Sequence, residues 1–497
     1  MSKSWQFGGV NLGMEAADGD EARPDQPLKI AVLGDFSGRG SRPAAPKRSL
    51  GSYRPLLIDR DNFEQVLQHL NVQIEQVPVE PNGKPGAVAI GSLDDFHPDA
   101  LLQRVSGFKA LRELRKRLAN RDTFDAARAE ATGLLQPPTA AEEKPVAKPV
   151  AVSAPQTAGE ETSASLLDQM LAATEENIQA QPRKVSEVER YAQALMANYI
   201  VPADDPRQDA WLEAADQATS FAVRQLLQHP TFRQLEARWR AVDWLTRRIE
   251  SDIAVKLAVI DINEQELRTD LAPDDLTEGA LYELLVTRPK LKPGETGWQL
   301  IVLDLQLSAT RADIELLGRL CQLAADAGAR LVVGLTDAAV GCNEASEPFV
   351  PAELKGTASA WSALQQLPEA TCAAAIWPGF LLRQPYGKKT SEVESLELEE
   401  LAGCDPQQTL LWGNGAYLGV DQLLREVDGA SDVSGLPCVV LPARDGTKQM
   451  VPAATWWLRE SALQQLSSLG VTAVYALPHA GAVRVLPLQN LQGELWG

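Results

Sequence analysis

The sequence predicts an α/β protein, with an α+β N-terminal module and a C-terminal module in which leading helices precede a parallel or mixed sheet. An apolar run rich in β-branched residues, LKIAVLG at 28–34, has the composition of a buried strand. Strand-like runs at 298–305 and 331–335 enclose a helical pattern at 313–327. Strand, helix and strand at this spacing indicate parallel strands in one sheet.

A Pro/Ala-rich stretch divides the chain. Residues 135–165 contain five prolines and no aromatic residue among Ala, Glu and Thr. Such a composition cannot bury enough surface to offset the entropy that ordering would cost. We therefore predict a module at 1–134, a disordered linker at 135–164 and a module at 165–497, with the linker sensitive to proteases.

The N-terminal module begins its regular structure with the strand at 28–34. Glycines at 34 and 38 suit a turn after this strand. An apolar face formed by Phe63, Val66, Leu67 and Leu70 predicts a helix that Asp59 or Asp61 can cap. A strand follows at 72–79, and one long helix is predicted from Pro98 to Leu118.

The C-terminal module is predicted to begin with helices, since apolar residues recur there at spacings of three and four. The clearest stripe comprises Phe232, Leu235, Trp239 and Val242. Gly328 ends the helix at 313–327 because glycine suits the residue after a helix. The remaining predicted helices lie at 191–199, 211–227 and 460–469. The remaining predicted strands lie at 253–259, 438–441 and 471–477. The strands at 438–441 and 471–477 are expected to extend the sheet.

Charge and composition exclude several classes of protein. The chain of 497 residues has a formal net charge of −20, which repels nucleic-acid phosphates and anionic lipid. It contains no apolar stretch of the roughly 20 residues that span a bilayer, and its N-terminus lacks a signal peptide. Five scattered cysteines suit reduced thiols. We expect a cytoplasmic protein that neither binds nucleic acid nor inserts into a membrane.

Motifs for catalysis and cofactor binding are missing from the sequence. The glycines at 34 and 38 do not have P-loop spacing, and Gly413-Asn414-Gly415 lacks the third glycine of a dinucleotide site. GxSxG is missing, and the four histidines have no zinc-site spacing. The paired acids Asp59/Asp61 and Asp94/Asp95 precede helices, which favours capping over acid–base catalysis.

We therefore predict a non-enzymatic protein without cofactor or metal. Calorimetry and elemental analysis are expected to detect no stoichiometric nucleotide or zinc. One bound zinc or nucleotide per chain would contradict this prediction.

A short apolar stripe lies beside the linker. Leu166, Leu167, Met170 and Leu171 occupy one face of a helix that Ser165 can cap. Two interpretations stay open, in which this face docks on its own module or in the groove of a partner protein.

Three segments of the N-terminal module resemble the small sheath subunit of type VI secretion systems, TssB (VipA). They are LKIAVLGDFSG at 28–38, PLLIDRDNFEQVL at 55–67 and SLDDFHPD at 92–99. The C-terminal module resembles the large subunit, TssC (VipB). The similar segments are LLQHPTFRQLEARWRAVDW at 226–244, IWPGFLLRQPYGKKTS at 376–391, LWGNGAY at 411–417 and a degenerate stretch near 459–486.

The resemblance implies a structural protein. The two family subunits form a heterodimer that stacks into a contractile tube around an inner tube, and the ATPase ClpV disassembles the contracted sheath. In the family, a short helix near the N-terminus of the large subunit contacts ClpV, and here Leu166, Leu167, Met170 and Leu171 fall on it. Strands exchanged between neighbours join the sheath, which makes Trp5, Phe7, Val10 and Leu12 candidate residues of an inter-subunit strand.

Two departures from the family shape the functional hypotheses. Both subunits are fused in one chain, and the large-subunit similarity stops near Val483–Leu486, before the segment that completes the polymerising wall. We therefore expect a sheath-related structural component that acts as an accessory, cap or initiator. The alternatives are a contractile sheath protomer proper and an adaptor for the ClpV-type ATPase. The expected partners are sheath subunits or other type VI components; self-association and association with a membrane-anchored machine stay open.

Overall fold

The computed structural model describes most of the chain outside 135–205. The described residues are 6–7, 10–11, 27–42, 53–80, 83–134, 206–249, 255–291, 296–308, 310–341, 358–425, 429–442, 448–478 and 481–496. The chain divides into two compact units. The first comprises Met1–Lys116 and Ala215–Gly497, and the second comprises Arg117–Ala214.

The strands of the first unit begin with those that precede residue 117. They are β1 (Gln6–Phe7), β2 (Val10–Asn11), β3 (Leu28–Gly34), β4 (Leu56–Leu57), β5 (Gln73–Pro78) and β6 (Pro85–Ala89). The strands after residue 214 are β7 (Val255–Asp261), β8 (Leu300–Leu307), β9 (Arg330–Leu335), β10 (Ala373–Trp377), β11 (Phe380–Leu381), β12 (Trp412–Gly413), β13 (Ser431–Ser434), β14 (Val439–Pro442), β15 (Lys448–Val451), β16 (Val471–Ala476) and β17 (Ala482–Val485).

The helices are likewise given in two groups, those up to residue 134 and those from residue 206 onwards. The early ones are α1 (Phe63–His69), α2 (Pro98–Arg104), α3 (Ser106–Ala119) and α4 (Phe124–Leu134). The later ones are α5 (Pro206–Gln228), α6 (Pro230–Arg248), α7 (Glu264–Asp270), α8 (Ala280–Tyr282, continued by a π-helical turn at Glu283–Thr287 and by Arg288–Lys290), α9 (Arg311–Ala327), α10 (Ala358–Gln365), α11 (Pro406–Thr409), α12 (Ala416–Leu424) and α13 (Glu460–Ser468).

A mixed sheet of nine strands forms the centre of the first unit. Its order is β13-β17-β16-β10-β9-β8-β3-β7-β4. The six strands from β16 to β7 run parallel, and β4, β17 and β13 add antiparallel pairs at the two edges. This mixed sheet with its helices confirms the predicted α/β class.

Helices cover both faces of the sheet. One face carries the main core, in which Leu33, Ile260 and Val333 pack with Leu317 and Leu320 of α9. On the opposite face α12 lies against β8, β9 and β10. Gly419 makes this approach possible, because a Cβ there would come within 2.0 Å of Ile376 Cδ1. The arrangement is the three-layer architecture that parallel strands require, since both faces of such strands are buried.

The structure differs from the sequence prediction at two elements. The helix predicted from Pro98 to Leu118 is divided at Val105, whose extended backbone ends α2 before α3 begins. The run at 438–441 does not extend the main sheet. Its strand β14 instead pairs with β15 in a separate two-stranded sheet, because Val439 packs in a small second core with Leu381 and Leu410.

The second unit is described at 117–134 and 206–214. Phe124, Ala127 and Ala131 of α4 are buried in it. The side-chain amide of Gln208 donates to the carbonyls of Leu118 and Ala119 at 2.8 and 2.9 Å. This amide satisfies two of the carbonyls that the end of α3 leaves without helical partners. The linker predicted at 135–164 lies outside the described residues, so the predicted division of the chain stays a prediction.

Candidate functional site: the junction of the N-terminal and C-terminal parts

The main sheet receives its middle strand from the N-terminal part of the chain. Strand β3 pairs in parallel with β7 from Leu28↔Val255 to Gly34↔Asp261. It also pairs in parallel with β8 on its other side. The ladders continue at both ends, where Ile262 N donates to Gly34 O at 2.9 Å and Gln299 N donates to Lys29 O at 3.1 Å. Removing β3 would therefore leave the facing backbone groups of two buried strands without partners.

An aromatic cluster fixes the turn that follows β3. The indole nitrogen of Trp239, on α6, donates to Phe36 O at 2.9 Å. Its ring meets those of Phe36 and Phe63 edge to face, with centroids 5.5 and 5.6 Å apart. Trp239 is 0% exposed, which confirms the predicted phase of this helix. One side chain of the C-terminal part thus joins two motifs of the N-terminal part.

Arg39 forms a buried ion pair across the junction. Its guanidinium contacts Asp261 at 3.1 Å and Glu266 at 2.7 Å, and it also donates to the carbonyl of Asp261 at 2.9 Å. Burial alone would lower the pKa of Arg39, but Asp261 and Glu266 hold it above its ordinary value. Arg39, in the loop after β3, therefore binds acidic residues of the C-terminal part.

Arg60 contacts the C-terminal end of α6. Its Nε donates to Thr246 O at 3.1 Å, and its Nη2 donates to the carbonyls of Arg247 and Ile249. A helix leaves its last carbonyls unpaired and carries partial negative charge at that end, so an arginine there is stabilising. Asp59 accepts from the N–H groups of Asp61 and Asn62, both at 2.9 Å, in the turn before α1. The N-cap residue of α1 is Asn62, so the prediction that Asp59 or Asp61 caps this helix is wrong.

The SLDDFHPD motif at 92–99 contacts two further segments of the C-terminal part. Phe96 packs on Phe232 and His97 packs on Tyr386, with ring centroids 5.6 and 5.0 Å apart. The carboxylate of Asp99 accepts from the N–H of Glu394 at 3.1 Å and of Ser395 at 2.9 Å.

The acidic pair within the same motif has the predicted capping role. The carboxylate of Asp95 accepts from the N–H groups of Gly91 and Ser92 at 2.6 and 3.1 Å. Together with Ser92 it forms a capping box for the short 3₁₀ turn Leu93–Phe96.

A buried charge cluster on α6 links the junction to the segment 376–400. Arg383 contacts Glu236 at 2.7 Å and donates to both carboxylate oxygens of Glu400 at 2.8 and 2.9 Å. Arg240 supplies a second cation to Glu236 at 2.7 Å. Burial would raise the pKa of Glu236, but Arg383 and Arg240 hold it below its ordinary value. All of these charges are paired, as burial requires.

A second cluster ties the turn after β3 to the LWGNGAY motif. Arg238 Nη1 donates to Asp35 O at 2.6 Å, and the same guanidinium pairs with Asp304 of β8. Asp304 accepts from the hydroxyl of Tyr417 at 2.9 Å. Asn414 donates to Asp304 O at 2.8 Å. The motif segments of both parts of the chain therefore converge on α6.

A cavity of about 990 Å³ lies beyond the carboxyl ends of β3, β7 and β8. This edge is where open α/β sheets commonly bind ligands. The four arginines on its wall are already engaged. Arg39, Arg238 and Arg268 pair with carboxylates, and Arg42 donates to backbone carbonyls. Gly38, with φ +72°, has the turn geometry expected from the sequence. Among the described residues, the cavity wall therefore offers no unpaired arginine to a phosphate group.

The predicted partner-binding residues are only partly described. Leu166, Leu167, Met170 and Leu171 lie outside the described residues, as do Trp5 and Leu12. Phe7 stands opposite Val10 in the short β1–β2 pair. The roles predicted for these eight residues, as a ClpV-type helix and an inter-subunit strand, stay predictions.

The described part of the chain shows neither a metal-binding cluster nor a membrane-spanning helix. It contains no group of three or more His, Cys, Asp or Glu residues that could hold a metal ion. It also contains no helix with the length and hydrophobicity needed to cross a bilayer.

The sequence did not reveal the polar contacts of the junction. Arg39, Arg60 and Glu236 were not predicted as contact residues. Each has a partner that lies more than a hundred residues away in the chain: Asp261, Thr246 and Arg383, respectively. One signal was present for Glu236, which falls within the span of the apolar stripe on α6. Glu236 lies four residues after Phe232 and three before Trp239, so it shares their buried face, and a carboxylate buried there requires a cation.

The segments that meet at the junction lie within two ranges that known protein families match. A family model described as "EvpB/VC_A0108, tail sheath N-terminal domain" matches residues 209–482, which is more than half of the chain. A second model, described as "Type VI secretion system, VipA, VC_A0107 or Hcp2", matches residues 10–136.

Two curated relatives come from Pseudomonas aeruginosa. The type VI secretion system sheath protein TssC1 is 25% identical over 259 residues, which is 48% of this chain and 52% of TssC1. The type VI secretion system sheath protein TssB1 is 30% identical over 110 residues, which is 21% of this chain and 62% of TssB1. The chain thus spans about half the length of TssC1 and somewhat more of TssB1. It belongs to the type VI secretion tail-sheath family, as a fusion of a TssB (VipA)-like N-terminal part with a TssC (VipB)-like C-terminal part.

Proposed function

We propose that the chain is a non-enzymatic structural component of a type VI secretion machine, in which it acts as an accessory, cap or initiator of a sheath. The observation that carries the proposal is the position of β3. Because a strand of the TssB-like part lies between two strands of the TssC-like part, the two form one folded unit. Their fusion fixes the ratio of the two parts at one to one and raises their effective concentration.

A unit of this kind suits the start or the end of a polymer built from separate subunits. It presents both types of sheath surface together before any assembly takes place. A single preformed unit can bind to an exposed sheath end without waiting for two partners to associate. It can also serve as the nucleus on which the first separate subunits add.

The second candidate is a sheath protomer proper. The shared sheet supports this candidate too, since a protomer also requires the two parts to be joined. An adaptor for a ClpV-type ATPase is the third candidate. It rests on the sequence of Leu166, Leu167, Met170 and Leu171.

Electron microscopy separates the first two candidates. We expect the purified chain alone to form no long tubes, and a labelled chain mixed with TssB and TssC sheath subunits to be found at sheath ends or beside them. Deleting residues 1–14 is expected to weaken this binding, because they include the candidate inter-subunit strand. Long regular tubes formed by the isolated chain would contradict the accessory role and favour the protomer.

A further inference from the structure

A basic stripe lies on the exposed side of α3. Lys109, Arg112 and Lys116 follow one another at spacings of three and four, so they share one face of the helix. Within the described residues neither Lys109 nor Arg112 has an ion-pair partner, and Lys116 approaches only Glu113, at 3.6 Å. In a chain with a net charge of −20, this stripe is a local reversal of the surface charge.

An acidic run occupies the segment 392–399. Glu392, Glu394, Glu397 and Glu399 point to solvent. Buried side chains of Val393, Leu396 and Leu398 alternate with them and fix the segment to the core. Glu397 is 97% exposed, and its nearest cation, Lys388 Nζ, lies 4.0 Å away. Fixed charges without a close counter-ion are available to a partner.

Hydrogen bonds connect both α3, the helix that carries the basic stripe, and the acidic run to the same helix, α5. Ser220 Oγ, on α5, donates to the carbonyl of Glu397 at 3.0 Å. Asp216 lies one turn earlier on α5 and accepts from Arg115 Nη2, on α3, at 2.9 Å. One helical turn, about 5.4 Å, therefore separates the contact with the acidic run from the contact with α3.

An exposed aromatic ring lies in the same region. Phe221 directly follows Ser220 on α5 and is 49% exposed. Aromatic residues near the centre of an interface, surrounded by polar and charged groups, contribute much of the binding energy of protein complexes. The region thus combines cations on α3, carboxylates in the acidic run and an exposed aromatic ring on α5.

We propose that this surface is the contact between two copies of the chain in a symmetric dimer. A positive patch beside a negative patch is complementary to itself after a two-fold rotation. The basic stripe of each copy then lies on the acidic run of the other. Two chains of net charge −20 repel each other, and a contact that places cations opposite carboxylates offsets part of this repulsion. The inference does not depend on the proposed sheath function.

Charge reversal of the full-length chain tests the dimer. One variant carries Lys109→Glu and Lys116→Glu, and the other carries Glu394→Lys and Glu397→Lys. By sedimentation velocity at micromolar concentration we expect the unaltered chain to be a dimer. Each variant alone should dimerise at least about tenfold more weakly, since like charges then face each other. An equimolar mixture of the two variants should form a one-to-one heterodimer, because every contact again pairs opposite charges.

A control variant, Arg311→Glu with Arg459→Glu, changes the charge by the same amount as the first variant but at exposed positions elsewhere. It should dimerise like the unaltered chain, and circular dichroism should show that all variants are folded. A monomeric unaltered chain would overturn the proposal. Dimers that persist in both reversed variants, a mixture without heterodimer, or equal weakening in the control would also overturn it.

Discussion

Replacing Arg383 with methionine is expected to destabilise the chain by about 3–5 kcal/mol. The substitution keeps the volume of the side chain but leaves Glu400 without the guanidinium that binds both of its oxygens. Glu236 would retain only Arg240. Removing one partner of a buried ion pair costs more than the pair contributes, because the remaining charge stays buried. Chemical denaturation monitored by circular dichroism measures the change.

The pH dependence of this variant gives a second readout. In the unaltered chain the pKa of Glu236 lies below its ordinary value of 4.5. The unfolded state then binds the proton more readily, so this contribution to stability is complete above the unfolded pKa and is lost as the pH falls through the folded pKa. In Arg383→Met, the cation that contributes most to lowering the pKa of Glu236 is missing. The deficit of the variant should therefore shrink on acidification, because protonation removes an unpaired buried charge.

Lys388→Met is the matched control for Arg383→Met. Lys388 is 77% exposed and lies 4.0 Å from Glu397. Exposed ion pairs contribute little, so we expect a change below about 1 kcal/mol. Equal effects of the two substitutions would show that the buried cluster does not stabilise the fold.

Replacing Trp239 with alanine is expected to cost about 3–5 kcal/mol. The fully buried ring packs on Phe36 and Phe63, and its indole N–H satisfies the carbonyl of Phe36. The truncation leaves a cavity at the junction and an unpaired buried carbonyl. Thermal unfolding measures the loss.

Trp457→Ala is the control for Trp239→Ala, because Trp457 is 49% exposed. It should leave the unfolding temperature nearly unchanged. An unchanged unfolding temperature in Trp239→Ala itself would show that the helix does not bury this ring.

The helices of the junction could be predicted from the sequence, whereas the pairing of the strands at the junction could not. The phase of α6 follows from local spacing, since Phe232, Leu235, Trp239 and Val242 recur every three or four residues. Gly328 marks the end of α9 because its backbone has φ 66°, which favours glycine. Both signals depend only on residues within a few turns of one another.

The place of β3 could not be predicted from its residues. Its partners in the sheet are more than two hundred residues away, and parallel pairing leaves no local turn signal. The run at 438–441 shows the same limit, because an apolar composition identifies a strand without identifying its sheet. The polar contacts of Arg39 and Arg60 depend on that same long-range arrangement.

The shared sheet is the central claim, and cleavage between the two parts tests it most directly. A site for a specific protease, inserted within residues 135–164, allows the purified chain to be cut into its TssB-like and TssC-like parts. The β3 pairing predicts that the two fragments elute together from a sizing column and unfold in a single transition close to that of the uncut chain. Fragments that separate on the column, or that unfold in two independent transitions, would contradict the account.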